Sequence, residues 1–174
     1  GAQLAHLAAT LSGEAPAPSR PAARARPRVV VLGTGWGAAA LLRALDLEAF
    51  DVTIVSPRNY FLFTPMLAGS AVGTVEFQSI TEPIRRIVGE RANYLEATAT
   101  AIDVDAKTVA CQSVMCEGTS CQFEDFDVGY DQLVVAVGAT TNTFGVPGVR
   151  ENCIFLKQIA DADKLRRAVG NCFE

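Results

Sequence analysis

Hydrophobic positions Val29 to Leu32 form an uninterrupted apolar run, the pattern of a strand buried on both faces of a parallel sheet. The run empties into Gly33-Thr34-Gly35-Trp36-Gly37, and an Ala/Leu-rich stretch from Ala38 to Leu47 then reads as a helix. Asp51 to Val55 supplies a second strand within the interval of a βαβ unit. A twin of the first strand, Gln132-Leu133-Val134-Val135-Ala136-Val137, also ends in glycine, at Gly138. Two such strands bring both carboxyl ends to one edge of a sheet, where open α/β folds bind ligands.

Between these strands the period changes. Ser56 to Leu67 is aromatic and bracketed by Pro57 and Pro65, which excludes a long helix and predicts a loop packed over something flat. Ser79-Ile80-Thr81-Glu82 has the spacing of a capping box and predicts a short helix through Ile84, Ile87 and Val88. Residues 93–104 read as one strand, Asp105-Ala106-Lys107 as a turn, and Thr108 to Met115 as the next strand. Glu117 to Ser120 reads as a turn, and Phe123 to Val128 alternates again. The tail from Leu156 to Phe173 carries a partial apolar face, Ile159, Leu165 and Val169, and reads as a helix. The expected class is α/β: a Rossmann-like half-domain with a βαβ start and an antiparallel β insert at about 105–128.

Gly33, Gly35 and Ala38 match G-x-G-x-x-A, the dinucleotide fingerprint, in a strand–turn–helix context. Each position has a physical task. The first glycine permits the tight turn, the second lets the backbone approach a pyrophosphate, and the small third residue packs the helix against the strand. The helix N-terminus offers free N–H groups and the positive end of its dipole. A glycine turn with no ligand is the alternative. A carboxylate is expected about 20 residues further on to hold a ribose, and Ser56 stands there instead.

Of the 174 residues 49% are hydrophobic and 20% charged, with a net charge of −4, so no global field draws the chain to nucleic acid. No apolar run approaches the ~18–20 residues that span a bilayer. Residues 1–26 differ from the rest: Ala and Pro dominate, Glu14 is the one acid, and the basic residues are arginines. This composition predicts a flexible leader or the remnant of an organelle transit peptide. Cys111, Cys116 and Cys121 have C-x4-C-x4-C spacing, Cys153 and Cys172 stand alone, and the sole histidine, His6, lies in the leader. Free thiols are the expected state, with a redox pair or a metal site as alternatives; no metal ligand set is assigned.

Longer motifs carry a resemblance. Val31 to Ala38, Ser56-Pro57-Arg58-Asn59-Tyr60-Phe61-Leu62-Phe63-Thr64-Pro65-Met66-Leu67, Val72-Gly73-Thr74-Val75 and Thr81-Glu82-Pro83-Ile84 resemble type II, non-proton-pumping NADH:quinone oxidoreductases. So do Ala136 to Ala139, Asn142 to Val149, Phe155-Leu156-Lys157 and Asp161-Ala162. The resemblance implies FAD in this Rossmann unit, with NADH as the substrate of a further domain and a membrane quinone as electron acceptor. It implies that Gly33, Gly35, Trp36, Gly37 and Ala38 hold the pyrophosphate, and that Ser56, Pro57 and Arg58 lie near the adenosine ribose. Thr64 and Pro65 would face the flavin ring, Ala99 would touch adenine through its backbone, and Ala136 with Gly138 would close the second edge. Simple core packing is the other role open to Tyr60, Phe61 and Phe63.

On this reading residues 27–147 are the FAD-binding segment, and 148–174 a linker and the start of a helix before the NADH domain. The resemblance further implies peripheral association with the mitochondrial inner membrane, or with a thylakoid membrane, and a protein partner or homodimer. No catalytic acid, base or nucleophile stands out, as expected of a flavin electron carrier. Two other readings stay open: a non-catalytic accessory subunit of a larger membrane complex, and a short NAD(P)-dependent reductase. The latter needs a Tyr–Lys pair, and Tyr130 has no lysine near it in sequence.

Overall fold

β-Branched residues at successive positions stiffen the first strands and suit them to burial on both faces. In the computed structural model, which describes residues 26–117 and 120–173, Val29, Val30, Val31 and Leu32 are at most 3% exposed. Residues 1–25 of the expected leader, Gly118 and Thr119 of the expected turn, and the side chains of Cys116 and Cys121 lie outside the described residues. The elements begin β1 (Arg28–Leu32), α1 (Trp36–Ala44), β2 (Asp51–Val55), β3 (Tyr60–Leu62), α2 (Leu67–Ala71), β4 (Thr81–Pro83) and α3 (Ile84–Val88). They continue β5 (Ala92–Leu95), β6 (Thr98–Asp103), β7 (Thr108–Glu117), β8 (Ser120–Gly129), β9 (Gln132–Val135), α4 (Val149–Asn152) and α5 (Ile159–Gly170).

A four-stranded parallel sheet in the order β5-β2-β1-β9 forms the centre. β1 and β9 are neighbours, with Leu32 opposite Val135, so the glycine-terminated twins end side by side. On one face Val29, Val31, Val52 and Ile54 pack against Ala38 and Leu42 of α1 and Ile84 and Val88 of α3. On the other, Val30, Leu32 and Val55 pack with Val109 and Cys111 of the β6-β7-β8 antiparallel sheet and with Tyr130, which follows it. Burial pushes the Cys111 thiol up, Asp127 adding to it, so this sulfur is a packing group and not a nucleophile. Cys153 and Cys172 are exposed free thiols. No helix among the described residues is long and apolar enough to cross a membrane.

Local pattern misled in places where a distant segment decides the conformation. The expected helix through Ile84, Ile87 and Val88 forms as α3, but it does not start in Ser79–Glu82: Thr81–Pro83 is extended because it pairs antiparallel with Tyr60–Leu62. The expected 56–67 loop therefore contains a strand, and Thr64–Met66 then forms a 3-10 turn. Residues 93–104 are two strands in different sheets, separated at Glu96 and Ala97, where the buried Ala97 joins the core. The antiparallel sheet thus begins at Thr98, ahead of the expected insert. α1 stops at Ala44, short of Leu47, because the Asp46 carboxylate accepts the Glu48 N–H at 3.1 Å and closes a competing turn. α5 begins at Ile159, where Gln158 and Asp161 form a reciprocal capping box.

Packing sets the outcome of substitutions here. Gly33 has φ +101°, and a Cβ on it would lie 2.5 Å from the Ala136 carbonyl oxygen. Gly33→Ala should therefore cost about 2–4 kcal/mol of stability in a denaturant titration, strain and overpacking adding. A change below about 0.5 kcal/mol would contradict the β1–β9 contact. Ala162 of α5 is fully buried among Leu62, Leu67, Ala71 and Ile80. Ala162→Leu should lift α5 from that cluster, read as faster amide exchange across Ile159–Gly170; unchanged exchange would show that α5 is held by other contacts.

Candidate functional site

The chain turns from β1 into α1 at Gly33, whose N–H donates to the Val55 carbonyl of β2 at 2.8 Å. On its other side the Ala136 N–H donates to the Leu32 carbonyl at 2.9 Å, fastening the end of β9 to the end of β1. Gly33 is therefore demanded by the fold itself: a side chain would strike Ala136. Gly35 is different. Its φ of −80° suits any residue, and a Cβ there meets nothing within 4 Å. No described atom of the chain explains the glycine, which instead keeps the space beside the helix start clear.

That helix start is uncapped. Gly35 supplies no side-chain hydrogen bond, and the first turn of α1 carries no acidic residue. The Ala39 N–H is the first to close onto a helical carbonyl, that of Gly35 at 2.9 Å. The N–H groups of Trp36, Gly37 and Ala38 are thus left without intrahelical acceptors, at the positive end of the dipole. A Cβ on Gly37 would make only ordinary contact, 3.7 Å from Ala136, whereas Ala38 is fully buried against the sheet. Gly138, with φ +77° and open space around it, follows β9 on the same edge.

Ser56 and Thr34 are buried together at the end of β2. The Thr34 hydroxyl donates to the Arg58 carbonyl at 2.8 Å. Having spent its single proton, it accepts from the Ser56 hydroxyl 3.3 Å away. Ser56 Oγ in turn accepts the Arg58 N–H at 3.2 Å. The serine expected to face a ribose therefore has its proton committed inward, where it clamps the fingerprint turn to the Ser56–Arg58 turn. Tyr94 holds the same turn from β5, donating to the Ser56 carbonyl at 2.7 Å. Burial, with the Glu96 charge beside it, pushes the Tyr94 phenol up to about 12, keeping it a neutral donor across the physiological range.

What this clamp leaves available is Arg58. Its guanidinium lies 5.5 Å from the Tyr60 ring centroid, and its buried Nε has no hydrogen-bond partner. Pro57 beside it is exposed. An unsatisfied cationic donor, a row of free helix N–H groups and a glycine-cleared space suit an anionic, acceptor-rich ligand such as a dinucleotide.

Thr64 and Pro65 reach the same neighbourhood through Trp36, whose indole N–H donates to Thr64 Oγ1 at 3.2 Å. Phe61 is buried behind them, whereas Phe63 is partly exposed, so core packing describes the first better than the second. Ala99 is half-buried in the antiparallel sheet opposite Cys111, beside a register irregularity, and packs on the cluster that holds Leu32 and Val55. Thr34 and Tyr94 escaped the sequence reading: the fingerprint treats its second position as free, and nothing local marks a tyrosine as a clamp. Tyr130 is buried with its hydroxyl on the Asp103 carbonyl at 3.3 Å, a packing role.

Residues 27–171 match the family model for pyridine nucleotide-disulphide oxidoreductases. The chain is 49% identical over 152 residues to a potato external alternative NAD(P)H-ubiquinone oxidoreductase B1, mitochondrial, covering 86% of this chain and 26% of the relative. It is 48% identical over 153 residues to the yeast Saccharomyces cerevisiae external NADH-ubiquinone oxidoreductase 2, covering 86% and 27%. The fold superposes with a TM-score of 0.75 on Plasmodium falciparum NDH2 in complex with NADH, at 34% identity over 86% of this chain and 30% of that one. The chain spans about a quarter of the length of the curated relatives it matches. The matched family and its NDH2 members are FAD-binding flavoproteins that use NADH. By sequence and by fold, this chain belongs to the pyridine nucleotide-disulphide oxidoreductase family.

Proposed function

We propose that the chain is the FAD-binding segment of a type II NADH:quinone oxidoreductase. The single observation that carries the reading is Gly35, a glycine that neither backbone conformation nor neighbouring atoms require, set at an uncapped helix N-terminus. Residues 27–147 form the binding unit and 148–174 lead toward a nicotinamide-binding domain. The backbone N–H groups of Trp36, Gly37 and Ala38 take the pyrophosphate. Arg58, with Pro57, faces the adenosine side in place of the usual carboxylate, and Ser56 serves by holding that turn. Thr64 and Pro65 face the flavin ring, Ala99 contributes backbone near adenine, and Ala136 with Gly138 bound the second edge.

The flavin, when bound, supplies two-electron chemistry between NADH and a membrane quinone, without proton pumping. The segment's own contribution is to orient and enclose it: the β1–β9 junction sets the floor, and the α1 N-terminus neutralises the phosphates. Names of relatives include mitochondrial external enzymes, which supports a peripheral position on the mitochondrial inner membrane. A second reading, a non-catalytic accessory subunit, draws on the open edge of the sheet, where Val135 and Val137 are 59% and 68% exposed. A visible spectrum of the purified native protein separates the two, since only the first requires stoichiometric flavin.

Gly35→Val is the sharpest substitution. The space beside Gly35 is clear of described atoms at the Cβ position, so the melting temperature of the flavin-free protein should stay within about 2–4 °C. The two methyl groups would occupy the phosphate position, and FAD affinity should fall at least about a hundredfold in equilibrium titration. Retention of stoichiometric FAD by this variant would reduce Gly33–Ala38 to a structural turn.

A further inference from the structure

Trp36 is half exposed, at 51%, yet its ring is held on several sides. Phe61 meets it edge-on with centroids 5.0 Å apart, and Phe63 lies tilted at 5.4 Å. Arg43 stacks over Phe61 at 6.0 Å and is ion-paired to Glu82, so the aromatic cluster is backed by α1 and β4 together. The indole Nε1–H then reaches Thr64 Oγ1 at 3.2 Å. An indole nitrogen only donates, so in this pair the threonine oxygen is the acceptor. Its one proton must point away from Trp36, and no described residue takes it. Thr64 is also β-branched and stands directly before Pro65 in a 3-10 turn, which restricts its rotation further.

We propose that Trp36 is a positioning residue that fixes Thr64 as an outward-facing hydrogen-bond donor to an acceptor atom of the flavin ring. The inference rests on the FAD reading above and adds a coupling to it. The helix that takes the phosphates also sets, through one indole N–H, the polarity of the contact made at the ring. Without that N–H nothing among the described residues directs the Thr64 proton away from α1, and it can turn to water. A flavin ring nitrogen or carbonyl gains from a fixed donor and loses when the donor is averaged over orientations.

The test uses the full polypeptide that carries this segment, with FAD titrated into the flavin-free form. Trp36→Phe keeps the aromatic packing and deletes the N–H; Thr64→Val deletes the donor; Thr64→Ser restores it. Trp36→Phe and Thr64→Val should each raise the FAD Kd roughly threefold to tenfold and move the flavin visible band in the same direction. Thr64→Ser should stay close to wild type in both readouts, and the double variant Trp36→Phe/Thr64→Val should be no worse than Thr64→Val alone. A wild-type Kd and spectrum for Trp36→Phe, multiplying effects in the double variant, or a Thr64→Ser protein that behaves like Thr64→Val would each overturn the assignment while leaving the FAD reading intact. A wild-type protein that binds no FAD would overturn the FAD reading itself, and this inference with it.

Discussion

The close approach of the β9 end to the β1 end is the constraint on which the rest depends. Ala136 donates its N–H to Leu32 and lays its carbonyl where a side chain on Gly33 would be. Only glycine at φ +101° leaves room for that carbonyl while letting the chain reverse from strand to helix. The direction of α1 follows from this turn, and so does the position of its free N–H groups. The two fingerprint glycines therefore differ: Gly33 answers to the sheet, whereas no described atom requires a glycine at Gly35.

Around that junction the binding edge is stiffened by neutral hydrogen bonds more than by ion pairs. The Thr34–Ser56–Arg58 chain of bonds and the Tyr94 donor converge on one short turn after β2. Each such bond contributes only about 1 kcal/mol net, but burial makes a broken one costly, so the turn has one preferred arrangement. The ion pairs of the described residues are mostly solvent-exposed and contribute little by comparison. The consequence is a well-defined turn after β2, beside which the buried Nε of Arg58 has no hydrogen-bond partner.

Much of this was legible in the amino-acid order. The unbroken apolar run Val29–Leu32 marked the buried central strand β1, and its twin Leu133 to Val135 was legible as a parallel strand too, although it lies at the edge of the described sheet with Val135 59% exposed. The fingerprint glycines, the helix after them and the antiparallel insert followed from period and turn chemistry. What stayed hidden depends on partners far along the chain. Thr81–Pro83 carries a helix-start pattern and becomes a strand because Tyr60–Leu62 is beside it. The break at Ala97 follows from the packing of two sheets, which no local window contains. Ser56 shows the same limit at the site: its position suggests a ribose contact, but the direction of its proton is decided by Thr34 and Arg58.

The account stands on a pyrophosphate lying against the α1 N-terminus, and a structure of the FAD-loaded protein measures that directly. Phosphate oxygens should sit within about 2.7–3.2 Å of backbone N–H groups in the Trp36–Ala38 turn, passing over Gly35, with the ring toward Thr64. A flavin bound elsewhere, or a pyrophosphate separated from that turn by protein atoms, would contradict it.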